Sequence, residues 1–146
     1  ITADGYYVTG TNPAMNMTAR FDRFNLTTAE PLTMGQMKNL KGSLTGRVHV
    51  EGAPDKPDIE GNINLRNMEF FSTYLNTPFS LRNEIILLTN DGISFDSFEL
   101  LDDRKNTMTL NGLVATSDYK SYSFALDLLA RNFRLLNTTE RDNELF

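Results

Sequence analysis

Few residues in this chain have the types and spacing that chemistry needs. His49 is the only histidine, and it lies in Arg47-Val-His49-Val-Glu51, where every second residue is polar. A catalytic or metal-binding histidine needs ligands or a proton partner converging on it. Alternation instead sets Arg47, His49 and Glu51 in one solvated row along a strand. Asp91, Asp102 and Asp103 are the carboxylates to weigh for calcium, but their spacing resembles no ligand loop. They occur in Asn90-Asp-Gly92 and Asp102-Asp-Arg-Lys-Asn106, contexts in which a short carboxylate makes a turn. Cysteine is absent, which removes disulfides and thiolate metal sites. Serine, threonine and lysine form no nucleophile motif, and no glycine-rich phosphate loop is present. The reading is therefore of no catalytic, cofactor-binding or metal residue.

A chain of 146 residues suits one domain, with about 68–70% of its unfolded surface buried on folding. Hydrophobic residues make up 40% and charged residues 23%, which is an ordinary globular balance. The net charge of −5 argues against nucleic acid, whose partners carry basic stripes. No apolar run approaches the ~18 residues of a membrane helix.

What those residues must be mounted on is strands. Met15, Met17, Ala19 and Phe21 share one parity; so do Leu44, Val48 and Val50, then Ile59, Ile63 and Leu65. Phe79, Leu81, Ile85 and Leu87 follow, with Phe95 after them; Met108, Leu110 and Val114 come later, then Phe124, Leu126 and Leu128. Side chains alternate across a strand, so each row is the oily side of a ribbon. The Met residues in these rows read as lining, not as a separate surface. Loop-like stretches separate the rows: Asn12-Pro13, Gly52 to Asp58, Asn90 to Gly92, Asp102 to Asn106 and Thr116-Ser-Asp118. Residues 30–40 hold either a short helix opened by Pro31 or a loop lying across the sheet. The sum is all-β: nine or so antiparallel strands in a meander, wet on one face.

The other face needs a cover, which a second sheet, closure into a barrel or an apolar guest could supply. Gly46, Gly61 and Gly112 all fall on the apolar parity, where glycine costs about 0.5–1 kcal/mol relative to Ala. They imply a sheet curling tightly about that face, a slot left for a guest chain, or relief of crowding in an ordinary core. An apolar-x-Gly-x-apolar unit recurs at 44–48, 59–63 and 110–114, so the ribbon can be extended as an array. Starting at Ile1 and stopping at Asn143-Glu-Leu-Phe146, residues 1–146 read as a single fragment of such an array.

The stretch from Phe21 to Leu65 resembles the C-terminal region of TamB-like translocation and assembly module proteins of Gram-negative bacteria. The resemblance is carried by Phe24-Asn-Leu26 before Pro31-Leu32, and by Gly42-x-Leu44-x-Gly46-x-Val48-x-Val50-x-Gly52-x-Pro54-x-Lys56-Pro57-x-Ile59-x-Gly61. Tyr74-Leu75-Asn76, Ile93-Ser-Phe95-Asp96, Phe98-x-Leu100-x-Asp102 and Leu110-Asn-Gly112 extend it, and residues 1–12 fit least. It implies an antiparallel sheet curled into an open, hydrophobic-lined U-shaped groove, a β-taco, as in AsmA-like and bridge-like lipid-transfer proteins. It also implies the periplasmic portion of a protein anchored in the inner membrane, with a TamA-like outer-membrane barrel as partner of other parts of the parent. In such a protein the acceptor-like triplets Asn25-Leu-Thr27 and Asn137-Thr-Thr139 carry no weight.

On that reading the oily rows, from Leu44 through Leu128, line a groove for phospholipid acyl chains, and Gly46, Gly61 and Gly112 give its curvature. Each CH₂ moved from water is worth roughly 0.8 kcal/mol, so grip is non-specific and sliding is easy. A second reading is a scaffold whose strand edges template nascent outer-membrane proteins. A third is a plain β-sandwich linker. In isolation the piece would cover its oily face with a second copy.

Overall fold

In the computed structural model, which describes residues 1–116 and 121–136, one antiparallel sheet accounts for nearly everything. Its strands are β1 (Thr2–Val8), β2 (Ala14–Asn25), β3 (Met37–Ala53), β4 (Lys56–Ser72), β5 (Thr77–Thr89), β6 (Gly92–Leu101), β7 (Thr107–Ala115) and β8 (Ser123–Ala130). They pair in sequence order, so the sheet is the expected antiparallel meander, with eight strands among the described residues. It is open, with β1 and β8 each paired on one side only. There is one sheet and not two, which excludes a sandwich for the described residues. The Thr116-Ser-Asp118 turn lies partly, and the Asn137 triplet and Asn143–Phe146 wholly, outside the described residues.

Cross-strand partners share a face. Leu44 sits opposite Leu65, Val48 opposite Gly61 and Val50 opposite Ile59, while Arg47 meets Asn62 and His49 meets Glu60. The apolar and polar rows therefore fall on opposite sides, one inner and one outer. A line of irregularities crosses the sheet: Arg23, Asn39, Asn67 and Ser97 all have positive φ, between 47° and 56°. Three of them coincide with or border the register shifts in β2, β3 and β6. Bulges of this kind bend a strand and increase its twist. They also reverse the parity of everything beyond them, which is how Leu65 and then Met68 and Phe70 stay on one face.

The helix is a 3-10 helix at Leu26–Thr33, starting earlier than the expected 30–40 stretch, and Pro31 lies inside it instead of opening it. Asn25 caps it by accepting the Thr27 N–H at 3.0 Å, and Met34 ends it in a left-handed conformation. Met37 and Leu40 belong to β3. The bulge at Asn39 takes Leu40 out of the β3–β4 ladder, and the helix replaces what is lost. Glu30 accepts the Leu40 N–H at 2.8 Å, and the Thr27 hydroxyl donates to the Leu40 carbonyl at 2.9 Å. Leu26 is thereby pressed onto Leu40, Leu65 and Leu81, the buried cluster of the molecule.

The strand glycines have a single cause. A Cβ on Gly61 would collide with the Arg47 carbonyl oxygen, and one on Gly46 with the Asn62 carbonyl oxygen. Arg47 and Asn62 are cross-strand partners, so the two glycines flank one pair diagonally and let two backbones close on each other. Gly112 does the same against Ala125. The space is filled by a neighbouring strand, so these glycines leave no slot for a guest. Gly61→Val should therefore destabilise the fold by about 2 kcal/mol or more, read as a lowered denaturant midpoint at unchanged m-value.

Candidate functional site

The inner face is the candidate site, because its residues are mostly apolar and, among the described residues, only one end is covered. In β2 it carries Met15, Met17, Ala19, Phe21 and, past the Arg23 bulge, Phe24, opposite Gly52, Val50, Val48, Gly46 and Leu44. β3 and β4 contribute Leu44, Val48 and Val50, then Ile59, Ile63 and Leu65, with Gly46 opposite Ile63. Phe79 and Leu81 of β5 lie opposite Phe70 and Met68. Phe95 of β6 faces Gly112, while Phe98 and Leu100 face Leu110 and Met108. In β8, Phe124, Leu126 and Leu128 face Val114, Gly112 and Leu110.

Two residues expected on this face are on the other. Ile85 pairs with Asn64 and Leu87 with Asn62, so both share the wetted side with Arg47 and His49. They are 51% and 42% exposed. Ile86 and Leu88, opposite Ile63 and Gly61, line the trough instead. The alternation set by Phe79 and Leu81 changes phase at Arg82-Asn83, both exposed, across the ladder from Asn67. The run Ile85-Ile-Leu-Leu88 is apolar at both parities, so nothing in it signals the slip. Phe70, Phe98 and Leu100 were outside the expected rows for the same reason: each follows a bulge.

Burial grades along the strands. Leu65 and Leu81 are buried with Leu26 of the 3-10 helix, and Phe79 is buried between the rings of Phe70 and Phe133. Val48, Val50, Ile63, Leu110 and Val114 are half-buried, and Phe124 and Leu128 on the β8 edge are 72% and 61% exposed. The face is not wholly apolar. Glu84, opposite Leu65, accepts the Glu99 N–H at 3.0 Å beside the Ser97 bulge. Burial pushes its carboxyl above the ordinary value; that hydrogen bond opposes the shift, and the Glu99 charge adds to it.

The polar candidates settle into structural roles. His49 Nδ1 lies 2.9 Å from the Thr18 hydroxyl and Nε2 lies 3.4 Å from Glu51, which also accepts from Asn16. It is one member of a cross-strand polar row on the outer face. Among the described residues no three His, Asp or Glu side chains come together as metal ligands would. A hollow of about 330 Å³ beside β4 and β5 includes Lys41, Glu69, Ser80 and Lys105 in its lining. Lys41 is paired with Glu69, and Lys105 donates to Ser80, so these groups are already matched.

Asp102 is more than a turn residue. It is 1% exposed, and its carboxylate accepts the N–H groups of Arg104, Asn106 and Arg134 at 2.8–2.9 Å and the Asn106 amide at 3.0 Å. Burial pushes its pKa up, yet these four donors outweigh burial and hold it at about 2. The Asp102-to-Asn106 spacing signals the local turn; the Arg134 partner, 32 residues on, has no local signal.

Compared with family models, curated proteins and solved structures, the chain matches none.

The phase change predicts that Ile85→Asn shifts the unfolding midpoint by no more than about 0.5 kcal/mol. Ile86→Asn, one residue on, should cost about 1–3 kcal/mol. Because the folded pKa of Asp102 is depressed, its contribution is complete above about pH 4 and is lost as pH falls towards 2. Asp102→Asn should thus weaken the protein at pH 6 and flatten the fall in thermal midpoint between pH 4 and 2.

Proposed function

We propose that this chain is a non-enzymatic periplasmic segment of a TamB-like envelope protein, and that its inner face carries phospholipid acyl chains between the inner and outer membranes. One observation carries the reading. Apolar side chains continue from β2 to β8 on one face of a single sheet, while only one end is covered by protein among the described residues. An apolar face of that extent on a soluble segment calls for an occupant. The resemblance of residues 21–65 to TamB-like proteins supplies the class of occupant and the envelope setting. Acyl chains would lie along the lining, with headgroups at the open rim in water. Close-packed Leu, Val, Phe and Met give no directional grip, so the chains would slide. Contact with a TamA-like barrel would belong to other parts of the parent.

A second reading has its own observation. Among the described residues β1 and β8 each leave one side of the ladder unpaired, and a nascent outer-membrane strand could pair there. In isolation, a second copy of the chain would compete for the same face.

Photo-crosslinking residues in the parent protein, in cells, separate these readings. At Val48, Ile63 and Leu110 we expect phospholipid adducts, and at Arg47 and Ile85 none. Equal labelling of both faces would defeat the conduit. Polypeptide adducts from the β1 and β8 edges, without lipid at the lining, would favour the scaffold. Val48→Asp should abolish the lipid adducts and impair the parent, while Arg47→Asp on the outer face should do neither.

A further inference from the structure

Beyond β8 the chain turns back over the sheet. The β7–β8 ladder ends at Ala130 opposite Met108, yet three residues later the ring of Phe133 lies on Phe79 of β5. The two rings are stacked, 5.9 Å apart and 11° from parallel. Phe79 also meets Phe70 of β4 at 5.7 Å, so three rings from separate segments close this end of the trough. It is the same end at which the 3-10 helix presses Leu26 onto Leu65 and Leu81. The opposite end, rimmed by the Ala53–Lys56 and Thr89–Gly92 turns, has no cover of this kind among the described residues.

We propose that residues 131–134 form a releasable stopper at the helix end of the trough, with Phe133 as the plug and the Asp102 loop as its catch.

The way the segment is attached supports release as a unit. It has no place in the β ladder, which stops at Ala130. Among the described residues its polar ties go to the loop between β6 and β7: Arg134 N–H to Asp102 at 2.9 Å, Asn132 carbonyl from the Asn106 amide at 2.9 Å, and Arg134 guanidinium to Asp103 at 3.0 Å. The catch does not depend on the plug. With Arg134 withdrawn, Asp102 still accepts from Arg104 and from both nitrogens of Asn106, and the Asp102 N–H still donates to the Asn106 carbonyl. A preformed acceptor released by one N–H, one amide, one ion pair and one ring contact can open below the free energy of global unfolding. Opening uncovers Phe79, 4% exposed when closed, and so lengthens the apolar lining.

This inference concerns the segment's motion and stands apart from what the trough carries. It is tested by limited trypsin digestion, because Arg131 and Arg134 both lie in the stopper. In Phe133→Ala we expect cleavage after Arg131 and Arg134 to speed up at least tenfold. Hydrogen-exchange protection of the β8 amides, Phe124 to Leu128, should stay within twofold of the parent chain. Binding of the fluorescent fatty acid cis-parinaric acid should rise severalfold as Phe79 is uncovered. Arg134→Lys, which keeps the backbone N–H on Asp102, should stay near the parent cleavage rate at residue 131. Two results would overturn the proposal: an unchanged cleavage rate in Phe133→Ala, or loss of β8 protection together with the segment. The second would show that residues 131–134 are part of the sheet's cooperative unit and not a stopper.

Discussion

A single antiparallel sheet can leave one face in water, but its other face is apolar and has to meet something. In this protein that requirement is met at one end and left open along most of the strands. The 3-10 helix covers Leu40, Leu65 and Leu81 with Leu26, and the Phe133 ring covers Phe79. Elsewhere Val48, Val50, Ile63 and Leu110 are half-buried, with no second layer of the described chain above them. Stability is therefore concentrated where the helix docks, and the exposed lining contributes less to folding than its composition suggests.

The sheet holds its shape through backbone proximity more than through side-chain interdigitation. Gly46 and Gly61 allow β3 and β4 to close around the Arg47–Asn62 pair, and Gly112 does so for β7 and β8. The bulges at Arg23, Asn39, Asn67 and Ser97 lie along a line that separates the covered end from the open one. On the helix side of that line Leu40, Phe79 and Leu81 are buried, and Met68, Phe70, Phe98 and Leu100 are half-buried around them. On the far side the inner residues are the glycine-interrupted rows. Local irregularity and the boundary of the covered end thus coincide, and the same bulges free the backbone of Leu40 for the helix and of Glu99 for Glu84.

Electrostatics is secondary on this framework. The ion pairs Arg20–Asp4 and Lys41–Glu69 are exposed and contribute little. The exception is Asp102, whose burial is compensated by four donors from three residues. It connects the β6–β7 loop to the chain beyond β8, which no ladder hydrogen bond does.

Much of this architecture was legible in the residues. Period-2 rows such as Leu44, Val48, Val50 and Ile59, Ile63, Leu65 determine strands with one oily face, because a pleated backbone alternates its side chains strictly. Short turns between the rows determine the meander. The glycines on the oily parity announced a close approach, though not that a neighbouring carbonyl would be what approached. Three features were decided only by tertiary structure. The faces of Ile85 and Leu87 depended on a phase change that an apolar run conceals, since either parity buries well. The helix at Leu26–Thr33 answers a bulge in the next strand, at Asn39, that left Leu40 in need of partners. The stopper depended on an Asp102–Arg134 contact across 32 residues. Alternation is a local property that each strand carries by itself; register, bulge alignment and capping exist only once the strands have met.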